Sequence, residues 1–187
     1  MDDEFLRSPE LMSVHDTALL VIDVQEKLLP HIFNGELVDT NVGRLLDGAK
    51  LAQLPVVCTE QYPQGLGSSV ASLRTRLSDE TIEKLSFSCV GNGRFRETLS
   101  ELDRRKVLLC GIETHVCVLQ TALDLLTQGF EVFLALDAIG SRSKLDHEVA
   151  IRRLESSGIT VCTTEAVLFE WCQAAGTELF REMRKLV

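Results

Sequence analysis

Side chains that can do chemistry follow several short apolar runs in this sequence. Cys117 lies in the first turn of a predicted helix that comes directly after one of these runs. The unpaired N–H groups and the dipole of a helix N-terminus stabilise a thiolate, and the same N–H groups can bind an oxyanion. Cys117 is therefore a candidate nucleophile, and a buried structural cysteine is the alternative interpretation.

Two ionisable residues also stand near the ends of apolar segments. Asp23 ends a run of five apolar residues, where an unpaired carboxylate would be costly. Lys84 lies in a short predicted strand beside Glu83. A carboxylate that caps a helix and a solvated surface ion pair are the alternative interpretations of these two positions. His115 precedes Cys117 by two residues, a spacing at which helical side chains do not face each other.

No pattern typical of a metal site or of a phosphate-binding loop occurs in the sequence. The four histidines show no paired metal-ligand spacing, and the six cysteines form no C-x-x-C pair. Neither common glycine-rich nucleotide motif is found. We therefore predict neither a metal nor a cofactor.

The segments that must position these residues alternate between strand and helix patterns. The predicted strands are residues 17–24, 55–59, 81–85, 106–111, 130–136 and 159–163. The predicted helices are residues 41–53, 94–105, 115–128 and 144–157, followed by two helices from residue 165 onwards. Continuous apolar strands between helices are typical of a parallel sheet that is covered on both faces. We predict an α/β fold, a three-layer doubly wound sheet, mostly parallel, with about six strands. Such sheets bind ligands at the carboxyl ends of their strands.

Length and charge restrict the remaining possibilities. A chain of 187 residues predicts a single domain, residues 1–187, with residues 1–15 as an N-terminal arm. The net charge of −9 disfavours nucleic acid as a partner. The sequence lacks an apolar run long enough to span a membrane, and its acidic start does not resemble a signal peptide. We therefore expect a cytoplasmic protein with free cysteines and no membrane partner.

Four short motifs occur in a fixed order along the chain. They are Asp23-Val24-Gln25, Lys84 before Ser86-Phe87-Ser88, the segment 111–118 (GIETHVCV), and Thr121-Ala122 followed by Gly129 and Asp137-Ala138. Together they resemble the isochorismatase-like cysteine hydrolase superfamily, which includes nicotinamidases, carbamoylsarcosine amidases and isochorismatases. The third motif is the most specific. The loop 62–67 (YPQGLG) is similar to that of the isochorismatase domain-containing subgroup.

The resemblance implies a role for each residue. Cys117 would be the nucleophile, Asp23 the general base and acid, and Lys84 the cation that holds both. It also implies a cis peptide bond between Ile112 and Glu113, whose backbone N–H would join that of Cys117 in an oxyanion hole. A homo-oligomer, a dimer or larger, is implied as well.

The chain departs from its relatives at two points that bear on the substrate. Nicotinamidases carry metal-binding histidines after the second strand, where this chain has Thr59-Glu60-Gln61-Tyr62. Isochorismatases that cleave a vinyl ether typically lack the nucleophilic cysteine. We therefore expect hydrolysis of a small amide, ureide or other acyl substrate through a thioester intermediate. The residues expected to line the substrate pocket are Gln25, Phe33, Gln61, Tyr62 and Thr114.

Two other functions remain open from the sequence. The chain could be a catalytically silent binding or assembly protein on the same fold, although an intact set of catalytic residues disfavours this. It could also be a thiol redox sensor in which Cys110 or Cys89 resolves an oxidised Cys117. The absence of a C-x-x-C pair disfavours the second alternative.

Overall fold

A single sheet of six parallel strands organises the structure, a computed structural model that describes residues 6–77 and 81–187. The strands are β1 (Thr17–Ile22), β2 (Val56–Gln61), β3 (Thr81–Lys84), β4 (Lys106–Ile112), β5 (Glu131–Gly140) and β6 (Thr160–Cys162). Their order across the sheet is β3-β2-β1-β4-β5-β6. The chain therefore adds β2 and β3 on one side of β1, and then adds β4, β5 and β6 on the other side. This reversal places a crevice between the carboxyl ends of β1 and β4, where ligands bind in folds of this type.

Helices cover both faces of the sheet. They are α1 (Gly35–Leu51), α2 (Pro63–Leu66), α3 (Ala71–Arg74), α4 (Gly93–Glu101), α5 (Leu119–Thr127), α6 (Lys144–Ser156), α7 (Thr164–Cys172) and α8 (Glu178–Met183). Along β1, Leu19 and Val21 pack in the core that contains Trp171, whereas Leu20 and Ile22 pack in the core that contains Phe95. Successive side chains of a strand point to opposite faces, so one apolar strand supplies both cores. The predicted three-layer α/β fold is confirmed.

Two elements differ from their predicted limits in ways that affect the site. Strand β5 continues to Gly140 and pairs there with Ile112, after a register shift in β4 between Leu109 and Gly111. The predicted helix 115–128 is divided into a wide, π-type turn, Thr114–Val118, and α5. Local periodicity does not detect either feature, because both depend on how β4 leaves the sheet.

The described part of the N-terminal arm, residues 6–15, docks on the helical layer. The Met12 side chain is fully buried, and its N–H donates to the Glu170 carboxylate at 2.8 Å. Lys106, at the start of β4, donates from Nζ to the Leu11 carbonyl at 2.8 Å. Residues 1–5 of the predicted arm lie outside the described residues. Within the described chain, no helix has both the length and the apolar character needed to cross a membrane.

Candidate active site

Three residues that are far apart in the sequence meet at the carboxyl edge of the sheet. Asp23 follows β1, Lys84 ends β3, and Cys117 lies in the wide turn after β4. The Lys84 ammonium is 2.7 Å from Oδ2 of Asp23, and both side chains are fully buried. The Asp23 carboxylate is also close enough to the Cys117 thiol to raise its pKa. Asp23 is therefore the centre of the cluster, with a cation on one side and a thiol on the other.

The backbone and the neighbouring strand both hold Asp23 in place. Its φ of +53° is in the left-handed region, which turns the chain sharply at the end of β1. Its N–H donates to the Thr59 carbonyl at 3.1 Å, and Thr59 Oγ1 donates to Oδ1 of Asp23 at 2.7 Å. Thr59 pairs with Ile22 in the register between β1 and β2, so strand pairing places its hydroxyl beside the carboxylate.

Lys84 is surrounded by oxygen acceptors. Its Nζ lies 2.7 Å from Oδ2 of Asp23 and 2.7 Å from Oε1 of Gln61, and it also reaches the carbonyls of Ser86 (3.2 Å) and Phe87 (3.1 Å). An ammonium has only three protons, so its donors are fully committed. Burial is the largest single effect and would lower the pKa of Lys84, but the Asp23 carboxylate together with smaller effects of Cys89 and Cys117 outweighs it, and the pKa is raised. Lys84 is therefore positively charged at neutral pH.

Cys117 is almost completely buried, with 6% of its surface exposed, and its Sγ lies 3.9 Å from Oε1 of Gln61. Burial raises the pKa of the Cys117 thiol, the negative charge of Asp23 raises it further, and Lys84 opposes the shift only in part. The sequence suggested a thiolate stabilised by a helix N-terminus. With its pKa raised in this way, the Cys117 thiol keeps its proton at neutral pH in the resting structure.

The segment that leads into Cys117 has an unusual backbone. Gly111 has a φ of +112°, and a Cβ atom there would overlap the Ile22 carbonyl oxygen on β1. The peptide bond between Ile112 and Glu113 is cis. The Glu113 carboxylate accepts hydrogen bonds from the Arg142 backbone N–H at 2.8 Å and from its Nε at 3.1 Å. The end of β4 is thus tied to β1 on one side and to the segment after β5 on the other.

Gln25 and Gln61 form a connected pair at the end of β2. Gln25 is fully buried, and its amide donates to the Gln61 carbonyl at 3.0 Å and accepts from the Gln61 N–H at 2.8 Å. It also donates to the Gly67 carbonyl at 2.6 Å, so its polar atoms are bound to backbone. The Gln61 amide donates to the Leu85 carbonyl at 2.8 Å, which turns its oxygen towards Lys84 and Cys117.

The other residues expected around the substrate are connected with His147 or lie at the surface. Thr114 is buried, and its hydroxyl is 2.9 Å from Nδ1 of His147. Phe33 packs edge-on against the His147 ring, with 5.3 Å between ring centroids, and remains 47% exposed. Tyr62 has a φ of +39° and is 50% exposed. Phe33 and Thr114 are therefore linked through His147, whereas Tyr62 stands apart on the loop after β2.

Two residues of this site were not identified from the sequence. Thr59 is visible there only as a polar residue at a strand end, and the register with β1 makes it a partner of Asp23. His147 lies on α6, and burial lowers its pKa. No local pattern connects it with Thr114. The spacing predicted that His115 does not face Cys117. In the structure, the Nδ1 of His115 contacts the Ser141 hydroxyl at 3.0 Å.

In the residues that the structure describes, no three histidine, cysteine, aspartate or glutamate side chains form a group that could hold a metal ion. The position of the metal-binding histidines of nicotinamidases is occupied by Thr59, Glu60 and Gln61. These residues bind Asp23, Ser69 and Lys84, respectively.

Comparisons with known proteins identify similar chains. The family model of the isochorismatase domain matches residues 17–166. Isochorismatase domain-containing protein 2 of Danio rerio is 40% identical over 177 residues, which cover 94% of this chain and 89% of the relative. The secreted isochorismatase effector Isc1 of Phytophthora sojae is 36% identical over 178 residues, 92% of this chain and 85% of the relative. Among solved structures, the MAR1 ribonuclease of Caenorhabditis elegans superimposes with a TM-score of 0.89 at 36% identity, covering 95% of this chain and 92% of its own.

Proposed function

The chain belongs to the isochorismatase domain family, and from this premise we propose that it is a cysteine hydrolase of small amides, ureides or related acyl compounds. Membership of the family suggests a hydrolase-type function. One observation supports the finer proposal: the buried Asp23 carboxylate is paired with the Lys84 ammonium at 2.7 Å and is close enough to the Cys117 thiol to raise its pKa. Acyl transfer through a thioester requires a base near the nucleophile, and the cation holds that base in place.

In the first half of the proposed reaction, Cys117 becomes acylated. Asp23 takes the thiol proton as the sulfur attacks the acyl carbon, and Lys84 keeps the carboxylate oriented. The developing oxyanion is stabilised by backbone N–H groups of the segment that contains Cys117. Asp23 then gives the proton to the leaving nitrogen. The C–N bond breaks, the amine departs, and the acyl group remains on sulfur as a thioester.

In the second half, water releases the acyl group. Asp23 removes a proton from the attacking water and later returns it to the Cys117 sulfur, and the carboxylic acid product leaves. Over the full cycle one amide and one water become one acid and one amine. Thr59 and Gln61 act as positioning residues, because the hydrogen bond of Thr59 orients the Asp23 carboxylate and that of Gln61 orients the Lys84 ammonium.

A small substrate agrees better with the charge of this chain than RNA does. The relative from Caenorhabditis elegans is named a ribonuclease, so RNA cleavage is the activity to compare. RNA-binding surfaces supply lysine and arginine to neutralise phosphates, whereas this chain carries a net charge of −9. We propose small acyl compounds as substrates, and a homo-oligomer as the active form.

The proposed function is tested by trapping the thioester. The purified protein is incubated with a panel of small amides and ureides and quenched in acid, and the acyl group is located by peptide mass spectrometry. We expect an adduct on Cys117 and release of the amine, with both lost in Cys117→Ala. If none of the panel gives an adduct, and any turnover survives in Cys117→Ala, the proposal is wrong. A parallel incubation with single-stranded RNA tests the ribonuclease alternative.

A further inference from the structure

The side-chain oxygen of Gln61 lies beside the sulfur of Cys117, where it can bind a hydrogen-bond donor. Resting on the proposed function, we infer that this oxygen accepts the N–H of the substrate's scissile nitrogen. The substrates are then amides or ureides that carry at least one hydrogen on that nitrogen, whereas esters and fully substituted amides are poor substrates. Gln61 therefore contacts the substrate itself, in addition to holding Lys84.

Two hydrogen bonds determine which end of the Gln61 amide faces the nucleophile. Its Nε2 donates to the Leu85 carbonyl at 2.8 Å, and its Oε1 accepts from Nζ of Lys84 at 2.7 Å. The opposite orientation would place an N–H group against the ammonium, which has no acceptor, and an oxygen against a carbonyl. Strands β2 and β3 pair Gln61 with Lys84 in register, so the sheet holds the two residues side by side. The group beside Cys117 is therefore an acceptor.

The Gln61 oxygen has one acceptor position that Lys84 does not fill. An amide oxygen can accept two hydrogen bonds, and here the second comes from the Cys117 thiol, with 3.9 Å between sulfur and oxygen. In the proposed reaction this proton passes to Asp23 as the sulfur attacks, so the oxygen loses its donor. Gln61 is only 8% exposed, and an acceptor without a partner is costly there. An N–H of the substrate replaces the thiol at that step, so the new bond favours the transition state over the resting protein.

The position of Asp23 indicates which atom of the substrate meets Gln61. Oδ2 of Asp23 and Oε1 of Gln61 each lie 2.7 Å from Nζ of Lys84, so one ammonium group holds the two oxygens close together. In the proposed reaction Asp23 protonates the leaving nitrogen, which must therefore approach it. The same nitrogen then lies near Gln61 and can donate its N–H to Oε1. An ester oxygen or a dialkylated nitrogen has no hydrogen to donate, and would leave Oε1 without a partner.

Matched amides test this inference. Acetamide, propionamide, butyramide and benzamide are each compared with the N,N-dimethyl amide of the same acid. Formation of the Cys117 thioester is followed by acid quench and peptide mass spectrometry, and each rate is divided by the rate of alkaline hydrolysis of the same amide. We expect the normalised rate of the primary amide to exceed that of the dimethyl amide by at least about 100-fold, because a site that binds an N–H rejects an analogue without it.

Variants of Gln61 separate hydrogen bonding from steric exclusion. Gln61→Leu keeps most of the bulk and removes the acceptor, so the preference for primary amides should fall by about tenfold or more. Gln61→Glu keeps an acceptor oxygen and should retain the preference. As a control, Thr59→Val disturbs Asp23 and should slow both amides by the same factor, which leaves the preference unchanged. A preference that persists in Gln61→Leu would mean that the shape of the pocket excludes the methyl groups, and would overturn the assignment to Gln61.

The outcomes separate this inference from the proposed function. If the dimethyl amides acylate Cys117 as readily as the primary amides, the inference is wrong and the cysteine hydrolase stands. If neither these amides nor the ureides of the panel acylate Cys117, the proposed function fails and the inference fails with it.

Discussion

The Thr59 hydroxyl donates a 2.7 Å hydrogen bond to Oδ1 of Asp23, so a residue of β2 orients the carboxylate that follows β1, the proposed general base. Thr59 has a single hydroxyl proton, which it gives to the carboxylate. Its oxygen also lies 3.8 Å from the Cys89 sulfur, so the Cys89 thiol must be the donor in that contact. The carboxylate of Asp23 is therefore oriented by a hydroxyl that also contacts the buried Cys89.

Replacing Thr59 tests this relationship. Thr59→Val keeps the shape and removes the donor, so Asp23 loses the bond that fixes its orientation. We expect alkylation of Cys117 by iodoacetamide at pH 7.5 to slow by about 10- to 100-fold, as for the loss of a hydrogen bond to a charged group. Thr59→Ser restores the hydroxyl and should recover most of the rate. Equal rates in the valine and serine variants would show that Thr59 has only a packing role.

The pH dependence of Cys117 alkylation tests the protonation state of the resting site. Because burial and Asp23 raise the pKa of Cys117, we do not expect the alkylation rate to rise through an acidic thiol pKa and then level off between pH 8 and 10. Instead, a flat region near neutral pH should reflect proton transfer to Asp23, and a rise at alkaline pH should reflect direct loss of the proton. Asp23→Asn should remove the flat region and keep the rise. A single ionisation below the ordinary thiol pKa of about 8.5 would contradict this assignment.

The buried ion pair predicts an asymmetric effect on stability. Lys84→Met leaves the Asp23 carboxylate buried without its cation, and should lower the free energy of unfolding by about 3–5 kcal/mol. The double variant Lys84→Met with Asp23→Asn removes both charges and should regain a large part of this loss. Urea denaturation of the wild type, the two single variants and the double variant gives the coupling energy. A double variant as unstable as the sum of the two single variants would mean that the charges do not interact.

His147 predicts a loss of stability in acid. Its folded-state pKa is lowered by burial, with a small opposing effect of Glu148 and a further lowering from His115. The unfolded chain therefore binds this proton first, so the contribution of His147 is present above pH 6.5 and is lost as the pH falls through the lower, folded value. The free energy of unfolding should decline less steeply from pH 7 to pH 5 in His147→Gln than in the wild type. The exposed His31→Gln serves as a control, and an identical slope in all three proteins would contradict the prediction.

Alanine substitutions at two glycines with positive φ should lower the stability of the fold by different amounts. At Gly111 (φ +112°) a Cβ atom meets the Ile22 backbone, whereas at Gly129 (φ +87°) no heavy atom lies within 4 Å. Gly129→Ala should cost about 1 kcal/mol from backbone conformation alone. Gly111→Ala must also separate β4 from β1, and should cost several kcal/mol or prevent folding. Thermal unfolding of both variants measures the difference, and similar costs would mean that the contact with β1 relaxes freely.

Much of this protein was predictable from its sequence, because the relevant signals are local. Apolar strands such as 18–22 and 107–110, which alternate with helical patterns, predicted a parallel sheet with helices on both faces. The strand-end positions and the motif around Cys117 identified Asp23, Lys84 and Cys117 as candidate catalytic residues. Asp23 and Lys84 lie at the ends of predicted strands and Cys117 begins the helix after another, and the ends of parallel strands share one edge of a sheet.

The tertiary structure decided everything that depends on partners distant in the sequence. Register between β1 and β2 places Thr59 on Asp23, and packing of α6 places His147 on Thr114. Gln25, expected in the substrate pocket, is held by the backbone of Gln61 at the end of β2 and of Gly67 in the following loop. Burial together with the Asp23 charge determines that the Cys117 thiol keeps its proton. Desolvation and hydrogen-bond saturation are properties of a three-dimensional neighbourhood, and residue type and spacing do not specify them.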